Sequence, residues 1–376
     1  MQLTEEKVDD MSYSNRKVLL KKISDIRGFP LISYVTSIRP NMSSQMAPDA
    51  IPFIINQIET IPHNQTEVDF LIVSNGGDPI TALRVMNILR ERFEKVNVII
   101  PYSAYSAASL LALGADTIVM HMYSNLGPVD PQITSLKPTD KGVPQNIQFG
   151  SEDIKHYISF LNDDAGIKSE EYVSSSLDQL TKEVGALTIG FSKRSQNLSL
   201  SISEKMLRMH IENGNRKIAK KIKKICAYFN SSYNHSYAIN RKEAQDIGLN
   251  VICPIKELED LLWKLWKDYE EDLKCDKPFD VINEILSNPS AQQIIKNYQV
   301  LQIPANTPPQ MVLQLFQQHA NIFNVQTVPL DLVGGCIESV EASYQFQNKL
   351  DVAVWRNLDM NIGINVTQSS KGWIKS

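Results

Sequence analysis

A serine in a strand-to-helix turn is the first candidate for chemistry in this sequence. Ser106 follows an apolar strand expected at 96–100 and precedes a small, apolar helix expected at 107–115. The first N–H groups of a helix have no intrahelical partner, so an anionic oxygen formed beside Ser106 would meet the Ala107 amide and the positive helix end. Taken alone, however, the turn favours a serine that simply caps the helix.

A glycine pair lies in a second turn of the same kind. Gly76 and Gly77 follow an apolar strand expected at 70–73 and precede a helix for which Asp78 is a candidate cap. Glycine lets the backbone adopt positive φ and approach a ligand closely, so an N–H of this turn could be a second donor to a tetrahedral oxyanion. The alternative is an ordinary turn that Asp78 caps.

The elements around these turns alternate between strand and helix, which predicts an α/β fold with a parallel sheet. Further strands are expected at 31–36 and 117–120, and the stretch 133–150 reads as loop. Downstream, a long helix is expected from Ser201 through Tyr228. Both special turns follow the carboxyl ends of parallel strands, where ligands bind in open α/β sheets. We therefore expect the two turns to face each other across one site.

Composition excludes several classes of protein. The 376 residues are 43% hydrophobic and 21% charged, and 38 basic against 42 acidic residues give a net charge of -4, which does not call for nucleic acid as a partner. The four cysteines form no CxxC pair, which fits a reducing cytoplasm and no zinc site. The polar N-terminus does not read as a signal peptide, and no apolar run is long enough to predict a membrane span.

Several motifs together resemble the serine dehydrogenase proteinase family, which is related to signal peptide peptidase A and lies in the Clp protease–crotonase superfamily. They are NGGD at 75–78, PYSAYSAASLLALGAD at 101–116, LGPVDPQ at 126–132 and EAQDIGL at 243–249. The resemblance implies a Clp/crotonase-like ββα spiral core, hydrolysis of a peptide or protein substrate through an acyl-enzyme, and neither a metal nor an organic cofactor. It also implies a homo-oligomer.

The chain is expected to divide around this core. A helical lead-in occupies 1–29, the peptidase domain 30–255 and a connecting helix 256–276. The alternating pattern near the C-terminus indicates strands, so a small α+β accessory domain is expected at 277–376.

The resemblance also assigns roles to residues. It implies that Ser106 is the nucleophile and that the amides of Gly77 and Ala107 form the oxyanion hole. Relatives usually carry glycine where this chain has Ala108, and the extra methyl narrows the turn.

The general base is harder to assign. The place of the Clp-type histidine falls near Asp130, which we interpret as a turn or groove-wall residue. Signal peptide peptidases use a Ser-Lys dyad instead, and Lys155, 49 residues after Ser106 at a helix start, corresponds to that lysine. A lysine acts as a base only if desolvation lowers its pKa. The alternatives are His235, with the better pKa for the task, and Lys137, Lys141, His121 and His156.

Two other functions use the same framework. A crotonase-type acyl-CoA hydratase or isomerase has the same two-amide oxyanion hole, but it usually carries glutamate acid/bases near the site. A catalytically inactive binding scaffold would keep the hole without a working base.

Overall fold

The computed structural model describes residues 11–137, 145–211, 214, 216–231, 234–294, 296–297, 303–304, 306–318, 327–356 and 362–376. Among the elements of these residues, the α-helices, numbered in chain order, are α1 Met11–Arg27, α2 Ile51–Glu59, α3 Pro79–Arg92, α4 Ala107–Leu113, α5 Asp153–Ser159, α6 Glu170–Val184, α7 Ala186–Arg208, α8 Arg216–Ser231, α9 Arg241–Ile247, α10 Lys256–Asp272, α11 Val281–Leu286, α12 Pro289–Ile294 and α13 Pro309–Gln318.

The strands, also in chain order, are β1 Leu31–Thr36, β2 Glu67–Val73, β3 Lys95–Ile100, β4 Ser103–Ala104, β5 Thr117–Met120, β6 Asn125–Leu126, β7 Gln132–Lys137, β8 Gln145–Gly150, β9 Ile239–Asn240, β10 Val251–Ile252, β11 Lys296–Asn297, β12 Thr327–Glu338, β13 Ser343–Arg356 and β14 Ile362–Lys375. A short 3-10 helix, Pro48–Ala50, precedes α2, and a π-helical turn, Phe160–Asp164, follows α5.

The main sheet confirms the predicted α/β fold. Within the described residues its strand order is β10-β5-β3-β2-β1-β12-β13-β11, with β14 on β13. The strands from β10 to β1 pair in parallel. Apart from the first residue of β2, β3 and β5, the side chains of β1, β2, β3 and β5 are buried on both faces, and this explains why these strands read as continuous apolar runs.

Two hydrophobic clusters cover the two faces of the sheet. Ile32 and Tyr34 of β1 belong to the cluster that includes residues of α2, α3, α4 and α7. Leu31 and Val35, which point the other way, belong to the cluster with α1 and α10. Because successive side chains of a strand point to opposite faces of the sheet, helices pack on both faces and the fold has helix–sheet–helix layers.

The C-terminal strands extend the same sheet. β12 pairs antiparallel with β1, with Thr36 opposite Gly335, and β13 and β14 follow as antiparallel neighbours. The expected boundary at 277 is therefore crossed by backbone hydrogen bonds between the core and the C-terminal region.

Two local predictions are wrong. The described residues of the stretch expected as loop lie in two paired antiparallel strands, β7 and β8, which are too polar to show a core-facing pattern. The helix expected from Ser201 through Tyr228 is two helices, because α7 ends at Arg208 and α8 begins at Arg216. The glycine-containing sequence between them, ENGN, interrupts the helical pattern.

Candidate active site

Ser106 has a backbone conformation that is unusual for a residue with a side chain. Its φ is 52° and its ψ is -117°, directly before α4 begins at Ala107. Such conformations cost about 1–3 kcal/mol and concentrate at functional sites, including the strained turns that carry nucleophilic serines. The side chain of Ser106 makes no capping hydrogen bond to α4 and is half-buried. The structure therefore does not support capping, the explanation that the turn alone favoured.

The glycine turn lies directly against Ser106, as expected. A Cβ placed on Gly76 would lie 2.7 Å from the Ser106 Cβ and 3.1 Å from the Ala107 nitrogen. Gly76 and Gly77 both have positive φ, 102° and 146°. Only a residue without Cβ fits at Gly76 because of the close approach of the two turns, whereas a Cβ on Gly77 would lie 2.3 Å from the Met46 carbonyl oxygen.

Two backbone donors are unpaired at this junction. Among the hydrogen bonds of the described residues, none uses the N–H of Gly77 or the N–H of Ala107. The first belongs to a half-buried residue, and the second is the first amide of α4, which has no intrahelical acceptor. Two unpaired amides beside one serine are what a developing oxyanion requires.

Side chains of the helix hold the serine turn in place. The Ser109 hydroxyl contacts the carbonyl oxygens of Ala104 and Gly127, each at 2.7 Å, and accepts from the Gly127 N–H at 3.1 Å. Ala108, whose methyl was expected to narrow the turn, is fully buried in the core cluster. Ser109 was not among the predicted site residues; its place one turn into the helix after Ser106 is the only sequence signal.

A small three-stranded sheet, β4-β6-β9, brings distant residues to one end. Leu126 of β6 lies opposite Ala104 of the parallel β4 and opposite Ile239 of the antiparallel β9. Ser106 lies two residues after Ala104, and Asp130 lies four residues after Leu126. His235 lies four residues before Ile239, and because β9 runs the opposite way, it leaves the sheet at the same end.

Asp130 and His235 are close enough at this end of the sheet for the charge of His235 to act on the Asp130 carboxyl. Burial raises the pKa of the Asp130 carboxyl, whereas the hydrogen bond from Ser151, at 3.0 Å, and the charge of His235 lower it. His235 Nδ1 is buried and has no hydrogen-bond partner among the described residues. A carboxylate acceptor would satisfy this nitrogen and fix the ring tautomer. The sequence did not reveal this proximity, because the two residues are 105 positions apart.

Lys155 lies in a different environment from the one its predicted role requires. It is on α5, its side chain is 66% exposed, and its Nζ lies 3.2 Å from the Glu152 carboxylate. Its role as base stays a prediction, and the desolvation on which that role depends is not found at this position.

The other candidate bases are placed as follows. His121 is buried and stacked on Trp263, and its Nδ1 accepts from the Tyr123 N–H. His156 is exposed on α5. The side chain of Lys137 and all of Lys141 lie outside the described residues. No group of three or more metal-ligating side chains occurs in the part of the chain that the structure describes.

Comparison with known proteins bears out the resemblance that the motifs carry. Residues 49–184 match the family model of ClpP-like SDH-type serine proteinases. This segment contains the glycine turn, the Ser106 turn, Asp130 and Lys155, but not His235.

Two proteins of Methanocaldococcus jannaschii, both uncharacterized, are similar in sequence. One is 39% identical over 80 residues, which cover 21% of this chain and 27% of that protein. The other is 27% identical over 214 residues, which cover 57% of this chain and 63% of that protein. The chain thus spans less than two thirds of either relative.

Solved structures with similarity include the ClpP protease catalytic domain from Plasmodium falciparum, at 13% identity and a TM-score of 0.32 over 67% of this chain and 96% of that one. A mutant of a membrane-bound stomatin-specific protease matches at 14% identity and a TM-score of 0.31, over 62% of this chain and 84% of that one. The fold assignment therefore depends on the family match and on the observed order of strands and helices.

Proposed function

We propose that this chain is a serine peptidase that hydrolyses peptide bonds through an acyl-enzyme. Ser106 Oγ attacks the carbonyl carbon, the Gly77 and Ala107 amides bind the oxyanion, and the amine leaves with the proton taken from the serine. Water then hydrolyses the ester. The observation that carries the proposal is the strained, uncapped Ser106 beside two unpaired backbone amides.

We further propose that His235 is the general base and that Asp130 orients it. The topology directs Ser106, Asp130 and His235 to one end of the β4-β6-β9 sheet. The imidazole lies in the electrostatic field of the carboxyl, and its buried Nδ1 needs an acceptor. With Nδ1–H bound to Asp130, Nε2 is the nitrogen free to take the serine proton.

A Ser106–Lys155 dyad is the competing arrangement for the same reaction. It requires a desolvated lysine, whereas the Lys155 side chain is two-thirds exposed and paired with Glu152. We therefore rank His235 above Lys155, in reverse of the order expected from the sequence.

A fluorophosphonate probe tests the nucleophile. The wild-type protein should form a covalent adduct on the peptide that contains Ser106, detected by mass spectrometry, and Ser106→Ala should remove it. The wild-type protein should also hydrolyse fluorescein-labelled casein. A folded wild-type protein that is neither labelled nor active on casein would refute the peptidase and favour the binding scaffold.

Three substitutions with one control test the base. His235→Gln and Asp130→Asn should each slow labelling by about 10²–10⁴-fold, the range expected for loss of general base catalysis. Lys155→Met should change it less than about twofold, as should His156→Gln, a histidine control on the exposed face of α5. Loss of labelling in Lys155→Met with normal rates in His235→Gln would establish the dyad instead.

Several broader predictions accompany this proposal. None of the described helices is long and apolar enough to span a membrane. We propose a homo-oligomer that acts on peptide or protein substrates in the cytoplasm. Sedimentation of the purified protein tests the oligomeric state. Identification of proteins retained by the Ser106→Ala variant in cells tests the substrates.

A further inference from the structure

The peptide between Gly76 and Gly77 is fixed from one side by the backbone of Met46. The Met46 N–H donates to the Gly76 carbonyl at 2.8 Å, and the Asp78 N–H donates to the Met46 carbonyl at 2.9 Å. In a trans peptide the carbonyl and the N–H point in opposite directions. Because the Gly76 carbonyl faces Met46, the Gly77 N–H must point away from Met46, on the side left open for an oxyanion.

The side chain of Ser74 fixes the same turn from within the protein. Its hydroxyl oxygen accepts from the Gly76 N–H at 3.0 Å and from the Thr36 hydroxyl at 2.7 Å. Ser74 and Gly76 are buried, and Thr36 is 2% exposed, so water does not compete for these bonds. Both lone pairs of the Ser74 hydroxyl are therefore used, one by the glycine turn and one by the end of β1.

The backbone of Ser74 is bound to the other turn. Its N–H donates to the Ser103 carbonyl at 3.0 Å, and its carbonyl accepts from the Tyr105 N–H at 2.9 Å. Ser74 thus connects the segment that ends in Ser106 to the turn that presents the Gly77 amide. Among the described residues, we find no other side chain that is bonded to the glycine turn while its backbone holds the serine turn.

We propose that Ser74 is a positioning residue for the reaction, acting through the Gly77 amide, and that Thr36 orients the Ser74 hydroxyl. Without this hydroxyl, the Gly76 N–H loses its acceptor, and two consecutive glycines have little intrinsic resistance to rotation. The Gly77 donor is then held only from the Met46 side, and its direction relative to Ser106 is less firmly fixed. The inference rests on the proposed peptidase function, since it concerns the oxyanion hole of that reaction.

The test compares Ser74→Ala with Ser103→Ala. Both changes remove a buried serine hydroxyl, but Ser103 Oγ has no hydrogen-bond partner among the described residues. The saturating rate and the half-saturation concentration of fluorophosphonate labelling are measured for each folded variant. Ser74→Ala should lower the saturating rate about tenfold to a hundredfold, below the roughly 10²–10³-fold expected for removal of an oxyanion donor itself. The half-saturation concentration should not change, because the lost interaction acts in the transition state.

A second pair of variants keeps the test decisive if Ser74→Ala does not fold. Thr36→Val keeps the shape of the side chain but removes the hydroxyl, and it should slow labelling about twofold to tenfold. Thr36→Ser, which restores the hydroxyl, should recover most of the rate. A general packing defect would not be rescued in this way.

The outcomes separate this inference from the proposed function. No labelling of wild-type Ser106 refutes the peptidase, and the inference with it. Normal labelling of wild type with an equal saturating rate in Ser74→Ala refutes the inference alone. The inference alone is also refuted if Ser103→Ala lowers the saturating rate as much as Ser74→Ala does. A higher half-saturation concentration in Ser74→Ala, without a lower saturating rate, refutes it as well.

Discussion

A buried ion cluster joins the first helix to the C-terminal strands, and disrupting this cluster should lower the free energy of unfolding. Arg16 of α1 is fully buried, with Nε and one terminal nitrogen 2.9 and 2.8 Å from the Glu338 carboxylate of β12. Its other terminal nitrogen lies 2.9 Å from Asp268 and 3.1 Å from Asp272, both on α10. The Tyr269 hydroxyl also donates to Glu338, at 2.7 Å.

Arg16→Met should destabilise the protein strongly. It leaves the fully buried Glu338 carboxylate without its cation, and removal of one partner from a buried pair costs about 3–5 kcal/mol. Glu338 retains hydroxyl donors from Tyr269 and Ser343, so we expect a value near the lower end, about 3 kcal/mol. The double variant Arg16→Met with Glu338→Leu removes both charges, and it should recover about 2 kcal/mol or more of this loss.

Urea unfolding at neutral pH, followed by tryptophan fluorescence, measures these differences. Lys21→Met is the matched control, because Lys21 lies on the same helix in an exposed pair with Asp25 and should contribute less than about 0.5 kcal/mol. A loss below about 1 kcal/mol in Arg16→Met, or a double variant that is no more stable than the single one, would refute the reasoning. Either result would mean that the cluster is accessible to water or already neutral.

Two further predictions concern the site and the cysteines. Gly76→Ala should slow labelling of Ser106 at least about tenfold, because the new methyl would lie 2.7 Å from the serine Cβ; Gly28→Ala, which has positive φ but open space, should leave the labelling rate unchanged. Iodoacetamide at pH 8 should modify the exposed Cys253 before it modifies Cys226, because burial raises the pKa of the Cys226 thiol from 9.0 to about 11. The pKa of Cys226 is higher in the folded state than in the unfolded state, so the contribution of this thiol to stability is complete below pH 9 and is lost as pH rises toward 11. Equal alkylation of Cys253 and Cys226 in the native protein would contradict the burial of Cys226.

The parallel strands of the core could be predicted from the sequence because each is a short apolar run between turn residues. β1 Leu31–Thr36 and β5 Thr117–Met120 have the predicted bounds, and both are buried except for one end residue of β5. Local sequence determines such strands, because burial on both faces demands apolar residues throughout.

Pairing between distant strands could not be predicted in the same way. The β12 strand has an alternating pattern that indicates a strand, but nothing in it specifies β1, about 300 residues earlier, as its neighbour. Polar strands are harder still, since the paired strands β7 and β8 carry no apolar face that would distinguish them from a loop. The sequence shows what a strand can bury, whereas the partner depends on the whole fold.

The same limit explains why the sequence singled out Ser106 clearly but placed Lys155 ahead of His235 as the candidate base. Ser106 and the glycine pair carry their signals locally, in the residues that flank each turn. His235 lies 129 residues after Ser106 and four residues before β9, a strand of only two residues. A spacing rule taken from relatives therefore pointed to Lys155, which has the expected separation from Ser106 but not the required burial. The chemistry of a base depends on its surroundings, so the buried Nδ1 of His235 and the effect of the His235 charge on Asp130 support the proposed base more strongly than a separation along the chain does.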